Sequence, residues 1–310
     1  RNVYLKQNLK AFIYMRFSMN NYHTHTYRCG HGYGSEEDMV KAAIDLNMQE
    51  LGFSEHVPLP FYRLFLLKSL PHTLGSLHSF LSWCKAFILN GPGMRMPYKK
   101  RKEHQKVVQE LKQKYKNQIT IYQGYECEYF KEYLDYYQRL LDNQEVDYLI
   151  LGNHFDRYPI HSYYYGKKKV DDGMLKHYQQ DVIKAIHTNL FSYIAHPDLF
   201  MMGRNKFDDL CKEVTLAICK EAKKYDVPLE VNAGGIRKGL VCRNDEMVYP
   251  YNNDHFFHIS QEIDNKVILG IDAHHPQQFN TKDIELLNQF VEKHHLNKIN
   301  KLTFKKGNSH

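Results

Sequence analysis

Nine side chains able to bind a metal recur along this 310-residue chain, and nearly all of them follow a short apolar run that reads as a β-strand. They are His23 and His25 in N-Y-H-T-H-T, His31 in C-G-H-G, His56 in G-F-S-E-H, Glu126 in Y-Q-G-Y-E, His154 in L-I-L-G-N-H-F, His196 in Y-I-A-H-P-D, and Asp272 with His274 in I-L-G-I-D-A-H-H. A fold that gathers the ends of many parallel strands at one rim would bring these distant residues together. The donors are imidazoles and carboxylates without thiolates, a set that suits several divalent cations and metal-assisted hydrolysis.

The rest of the pattern supports such a fold. Strands are predicted over 20–22, 50–53, 119–123, 148–151, 191–195, 229–231 and 267–271, with a final one near 302–304. A helix starts at Ser35, an N-cap with Asp38 in the capping-box position and Met39, Ala43 and Leu46 on one stripe. Further helices are predicted over 102–116, 132–143, 173–188, 208–225 and 282–294. This alternation predicts an α/β protein with a parallel sheet, most simply a closed barrel of about seven β/α repeats. The chain lacks the G-x-G-x-x-G and P-loop signatures of nucleotide-binding sheets.

Two stretches fall outside the rhythm. Residues 1–18 read as an N-terminal extension to a barrel domain over 19–310. Residues 61–96 are apolar but interrupted by Lys68, Pro71, His72, His78 and Lys85. They form a lid, an interfacial helix pair or an insertion packed on the barrel.

A hydrophobic content of 43% supports a large core. No stretch supplies the roughly 18 uninterrupted apolar residues of a membrane-spanning helix, so no membrane partner is expected. The six cysteines have no C-x-x-C pairing and read as reduced thiols. With no secretory signal evident, the expected compartment is the cytoplasm. The net charge of +7 comes with basic runs at 99–102, 167–169 and 305–306. These read as solvated faces rather than a nucleic-acid footprint, because they lack interleaved aromatics.

Among the nine, a His-x-His pair on a strand puts both imidazoles on one face. Pro197 after His196 and Gly270 before Asp272 let the backbone leave its strand sharply. A carboxylate at Glu126 can bridge two cations, which an imidazole cannot do. Glu128, two residues on, reads as a surface acid. His275 adjoins His274 but points to the opposite side, and reads as a support behind the site or as structural. No G-x-S-x-G elbow supports a serine nucleophile.

The motifs H-T-H-T at 23–26, C-G-H at 29–31, S-E-H at 54–56, G-x-E at 124–126, G-N-H at 152–154, A-H-P-D at 195–198 and D-A-H at 272–274 occur in one order. That order resembles the PHP superfamily of polymerase-and-histidinol-phosphatase hydrolases, and within it the monofunctional histidinol-phosphate phosphatases, over about residues 19–300. The resemblance implies a distorted (βα)7 TIM-like barrel, the PHP fold, holding two or three divalent ions (Zn, Mn or Fe). By that analogy His23, His25, Glu126 and Asp272 hold one ion. Glu126 bridges to a second ion held by His154 and His196, and His31, His56 and His274 hold a third.

The activity implied is hydrolysis of L-histidinol phosphate to L-histidinol and phosphate, in histidine biosynthesis. The alternatives are a PHP-type nuclease or phosphodiesterase, or a phosphatase for another small phosphomonoester. A water activated by the ions would attack phosphorus in line. Asp272 would receive its proton, and His56 or His196 would protonate the departing alkoxide. Arginines suit bidentate phosphate contact, which nominates Arg157, Arg204 and Arg237 for substrate binding, with Asn232 beside them. The partner expected is a small anionic phosphomonoester, and the oligomeric state is left open.

Overall fold

Ser35 begins the first helix as its sequence requires. Its hydroxyl accepts from the Asp38 amide at 3.2 Å, and the Asp38 carboxylate accepts from the Ser35 amide at 2.8 Å. The helix Glu36–Asp45 then buries Met39, Val40 and Ala43. These features come from a computed structural model, which describes residues 19–89, 94–166 and 169–307. The predicted extension over 1–18, two residues of the basic run 167–169, and residues 90–93 of the predicted insertion lie outside the described residues.

The longer parallel strands that follow each start within one residue of the predicted position. Strands β1 (Glu50–His56), β2 (Thr120–Cys127) and β3 (Tyr148–Leu151) pair in parallel. Strand β4 (Leu229–Asn232) comes later, followed by a small antiparallel hairpin of β5 (Val241–Arg243) and β6 (Glu246–Val248). Strand β7 (Lys266–Gly270) pairs in parallel with β4, and β8 (Asn297–Lys298) adds to the edge of β7.

Two further staves close the ring through isolated parallel bridges. Ile194 bridges Leu151 on one side and Leu229 on the other, and Asn21 bridges Leu51 while Thr24 bridges Ala273. Among the described residues this gives seven parallel staves in the order 21–25, β1, β2, β3, 192–195, β4 and β7, with the last returning to the first. The chain is a distorted (βα)7 barrel. The distortion has a physical source, since side chains replace backbone partners at the first stave. Asn21 Oδ1 accepts from the Ile271 amide at 2.8 Å, Asn20 Oδ1 from Glu50 at 3.0 Å, and Ser54 Oγ from Thr24 at 2.9 Å. The carbonyl that a regular ladder would use is thereby substituted.

The bottom of the barrel is filled by Tyr22, Tyr148, Ile150, Tyr193 and Ile268. The final strand expected near 302–304 is not formed. Instead Phe304 stacks on Tyr148 with ring centroids 5.0 Å apart, and Leu302 packs beside it, so this segment plugs the barrel floor. The helix Asp254–Glu262, capped by Asn253, and the β5–β6 hairpin are further elements that the periodicity did not predict.

The 61–96 stretch folds into helices Tyr62–Leu67, Leu70–Thr73 and Leu77–Leu89. It packs on the barrel loops: Tyr62 donates to the Pro159 carbonyl at 2.9 Å, Tyr163 to His72 at 3.1 Å and Tyr133 to Pro60 at 3.0 Å. Its outer face exposes Phe61, Leu64, Leu74, Leu77 and Ile88. Among the described residues, no helix is long and apolar enough to cross a membrane.

Candidate metal centre

The nine singled-out side chains meet at the carboxyl ends of the barrel staves, around Glu126. This residue lies near the end of β2, only 1% exposed, and its two oxygens face different neighbours. Oε2 lies 3.5 Å from His23 Nε2, 3.4 Å from His25 Nε2 and 3.0 Å from His56 Nδ1. Oε1 lies 2.9 Å from His196 Nε2 and 3.3 Å from His154 Nε2. Asp272 closes the first group, its Oδ1 standing 3.5 Å from both His23 Nε2 and His25 Nε2.

Nitrogens and oxygens this deeply buried ordinarily have hydrogen-bond partners. Here His23 Nε2, both ring nitrogens of His25, His56 Nδ1, Glu126 Oε2, His196 Nδ1 and His274 Nε2 have none. Unpaired donor atoms turned toward one another fit divalent cations, which would satisfy them together. Compact triplets form from His23, His25 and Glu126, from Glu126, His154 and His196, and from His25, His56 and His274. The His31 ring lies 4.5 Å from that of His274, tilted by 39°, and His31 groups with Cys29 and His274, so the third cluster is broader than the trio read from sequence.

Backbone strain marks the same place. His196 and Asp272 have φ of 30° and 51°, in the left-handed region that residues with a Cβ rarely adopt. The chain does turn sharply at these two residues, but Gly270 has another task. A Cβ there would fall 1.8 Å from Glu230 Oε1, so its glycine makes room for a buried carboxylate.

The electrostatics suit cation binding. Burial alone would raise the Glu126 carboxyl, but His154, His23 and His56 hold it well below the usual carboxylate range. Burial pushes His31 and His274 down to about 4 and His56 well below its ordinary value, leaving neutral imidazoles with free lone pairs. For His154 burial also lowers the value, yet Glu126 and Glu128 outweigh it and raise the ring to about 9.

Three carboxylates behind the histidines were not anticipated. Glu230 on β4 accepts from His23 Nδ1 at 2.8 Å, and its other oxygen accepts from the His196 amide at 2.9 Å. Glu55 accepts from the Thr26 amide at 2.7 Å and lies 4.0 Å from His25 Nδ1. Glu128, expected on the surface, is fully buried and accepts from His154 Nδ1 at 3.2 Å. Glu230 and Glu128, which bond their rings, are partners of the kind that fix the tautomer and aim of a metal-binding imidazole. Glu55 and Glu128 stand within two positions of a singled-out residue, but that proximity does not distinguish a buried support from a surface acid.

The substrate-binding candidates separate. Asn232 donates to Glu230 at 2.7 Å and to Asp272 Oδ2 at 3.3 Å, at the centre itself. Arg237 donates to the carbonyls of Ile271 at 2.8 Å and Asp272 at 2.9 Å and to Asp283 at 3.2 Å, yet it also lines the mouth. Arg204 is instead spent on Asp172 at 2.7 Å and on Asp208, and Arg157, half-exposed with φ of 68°, contacts His177 at 3.0 Å. The mouth is a cavity of about 430 Å³ lined by His31, Tyr164, Arg237, Tyr251, Asp272 and His274. Tyr164 and Tyr251 carried no motif and were not singled out from the sequence. His275 caps the turn Pro276–Gln278, accepting from the Gln277 amide at 3.1 Å, in line with its expected structural role.

Comparison with known proteins places this centre in context. The PHP domain family model matches residues 21–234. A Deinococcus radiodurans protein named "Probable histidinol-phosphatase" is 23% identical over 262 residues, spanning 82% of this chain and 85% of that protein. Among solved structures, histidinol phosphate phosphatase from Lactococcus lactis, complexed with zinc, L-histidinol and phosphate, superposes with a TM-score of 0.62 at 15% identity, covering 93% of this chain and 97% of that one. A Listeria monocytogenes chain described as a candidate histidinol phosphatase reaches the same score at 21% identity, covering 84% and 96%.

Proposed function

The chain belongs to the PHP-domain family, and from that premise we propose that it is a metal-dependent phosphomonoesterase converting L-histidinol phosphate to L-histidinol and phosphate. The observation that carries the reading is the division of Glu126, with one oxygen facing His23, His25 and His56 and the other facing His154 and His196. Such a carboxylate suits two neighbouring cations, with His31 and His274 available for a third. Divalent ions bound there would supply Lewis acidity and a nucleophile at neutral pH.

The remaining work falls to the chain. Asp272 is held far below the ordinary carboxylate range by His23, His274 and His25 despite its burial, so it is ionised at neutral pH. With Oδ1 turned to the histidines and Oδ2 toward Asn232, it is our candidate to receive the proton that leaves the attacking water. His196 has Nε2 at Glu126 and Nδ1 unpartnered, and His56 presents Nδ1 to Glu126. These two rings are our candidates for delivering a proton to the departing alkoxide. Arg237 at the mouth and Asn232, buried beside Asp272, are our candidates for contacting the phosphoryl oxygens.

The volume of the mouth, about 430 Å³, is that of a site for one small ligand, which favours a small phosphomonoester over a polynucleotide. The relatives' names supply the substrate. All six cysteines are free, which supports a reducing compartment and hence the cytoplasm. The test is phosphate release from L-histidinol phosphate by zinc-, manganese- or iron-loaded protein, beside other phosphomonoesters and DNA 3′ ends. Metal-dependent turnover of histidinol phosphate above the panel is expected. Metal-loaded protein that ignores it but cleaves DNA would overturn the substrate and retain the centre.

A further inference from the structure

Between residues 61 and 96 the chain carries four cations, Arg63, Lys68, Lys85 and Arg95, and no acid. The first three are exposed, whereas Arg95 is buried with its side chain 2% accessible. It donates through Nη2 to Glu128 Oε1 and through Nη1 to the carbonyl of Val57 at 3.2 Å, directly beyond His56. The same Glu128 oxygen accepts from His154 Nδ1 at 3.2 Å, and His154 Nε2 then faces Glu126.

A buried ion pair is a poor way to gain stability, because desolvation offsets its attraction and an apolar pair would pack as well. Its presence calls for another reason, and the geometry supplies two. A carboxylate on Nδ1 leaves the His154 lone pair on Nε2, aimed at the centre. Glu128 is also close enough to His56 and His154 to compete as a donor, the three lying within 4.8 Å of one another. The Arg95 guanidinium holds Glu128 back from that position.

We propose that Arg95 and Glu128 are a positioning pair that fixes His154 for the cation between Glu126, His154 and His196, and that this pair couples the 61–96 insertion to metal loading. The proposal rests on the metal reading given above. Coupling of this kind is reciprocal, so a docked insertion tightens the cation and the cation tightens the docked insertion.

The test is zinc binding by competition with a chromophoric chelator, with no turnover required. Wild type, Glu128→Gln, Arg95→Lys, Arg95→Met and the double variant are compared with Glu36→Gln, which breaks a buried pair with Arg28 and His104 that includes none of the nine metal-capable side chains. Glu128→Gln and Arg95→Met should each weaken one ion about 10–100-fold and leave the others unchanged. The double variant should bind no more weakly than the worse single variant. Arg95→Lys, which keeps the charge, should recover part of the loss and carries the test should Glu128→Gln not fold. Glu36→Gln should lose stability while keeping zinc affinity. Variants of Arg95 and Glu128 that hold every ion with wild-type affinity would overturn the proposal. Wild-type protein that takes up no zinc would overturn the metal reading, and this proposal with it.

Discussion

Gly152 is the reason Glu126 can stand at the barrel axis: a Cβ at residue 152 would fall 2.0 Å from Glu126 Oε1 and 2.4 Å from its Cδ. Both atoms belong to the oxygen-bearing end on which the candidate centre is built. A single methyl group therefore probes the centre without touching any of its nine residues.

Gly152→Ala should push Glu126 off the His154–His196 side of the centre. Overpacking of this kind costs about 1–3 kcal/mol, so the protein should still fold. Metal content measured by atomic spectroscopy should nevertheless fall, and phosphate release with it by a factor on the order of 10². A folded variant with full metal and full turnover would contradict the close approach.

Metal uptake should release protons. His154 is raised to about 9 by Glu126 and Glu128 against the opposing effect of burial, so below that pH the metal-free ring carries a proton that a cation must displace. Affinity should accordingly rise with pH and level off above about 9. Calorimetric titration at neutral pH in buffers of different ionisation enthalpy checks this, with an apparent enthalpy that varies with the buffer as the expected result.

The two arginines should behave differently. Arg237 lines the mouth and holds the backbone of Asp272, so Arg237→Ala should cost about 10–100-fold in kcat/KM, the range for losing a charge-assisted contact. Arg204 is engaged with Asp172 and Asp208, so Arg204→Ala should leave KM within about threefold and lower Tm by a few degrees. Steady-state kinetics and thermal unfolding on the same samples separate the two effects.

Asp181, on the helix Asp172–His187, gives a pH signature from outside the nine metal-capable residues. Burial, with a contribution from Asp156, pushes its carboxyl up to about 7 against Lys184 and Arg157. Its folded value lies above its unfolded value of 3.8, so its contribution to stability is full below that and is lost as pH rises through about 7. Asp181→Asn should therefore stabilise the protein more at pH 8 than at pH 5, by on the order of 1–2 kcal/mol after solvent screening. Urea unfolding at the two pH values would show equal differences were the carboxyl not perturbed.

The barrel was legible because each stave is a short apolar run ending in a polar donor, a pattern read locally. Its irregular staves at 21–25 and 192–195 were equally visible as runs, although side chains of Asn20, Asn21 and Ser54 take over part of their pairing. The supporting carboxylates were not legible, because their partners are remote in sequence. Glu230 meets His23 across 207 positions, and nothing local separates Glu128 from a surface acid. The arginines illustrate the same limit. Arg157 and Arg204 occupy loops after singled-out histidines, but the acids around them decide where they point. The hairpin and the helix Asp254–Glu262 escaped because the segment before them is dominated by polar turn residues, though Asn253 is an evident cap.

The division of Glu126 between two histidine groups is best tested by counting ions. Atomic spectroscopy on wild type and Glu126→Gln, with histidinol phosphate turnover measured on the same samples, gives the answer. The account predicts two or three divalent ions per wild-type chain, and a Glu126→Gln variant that loses more than one equivalent together with nearly all activity. A variant that loses one ion or none and still turns over would contradict a shared carboxylate at the heart of the centre.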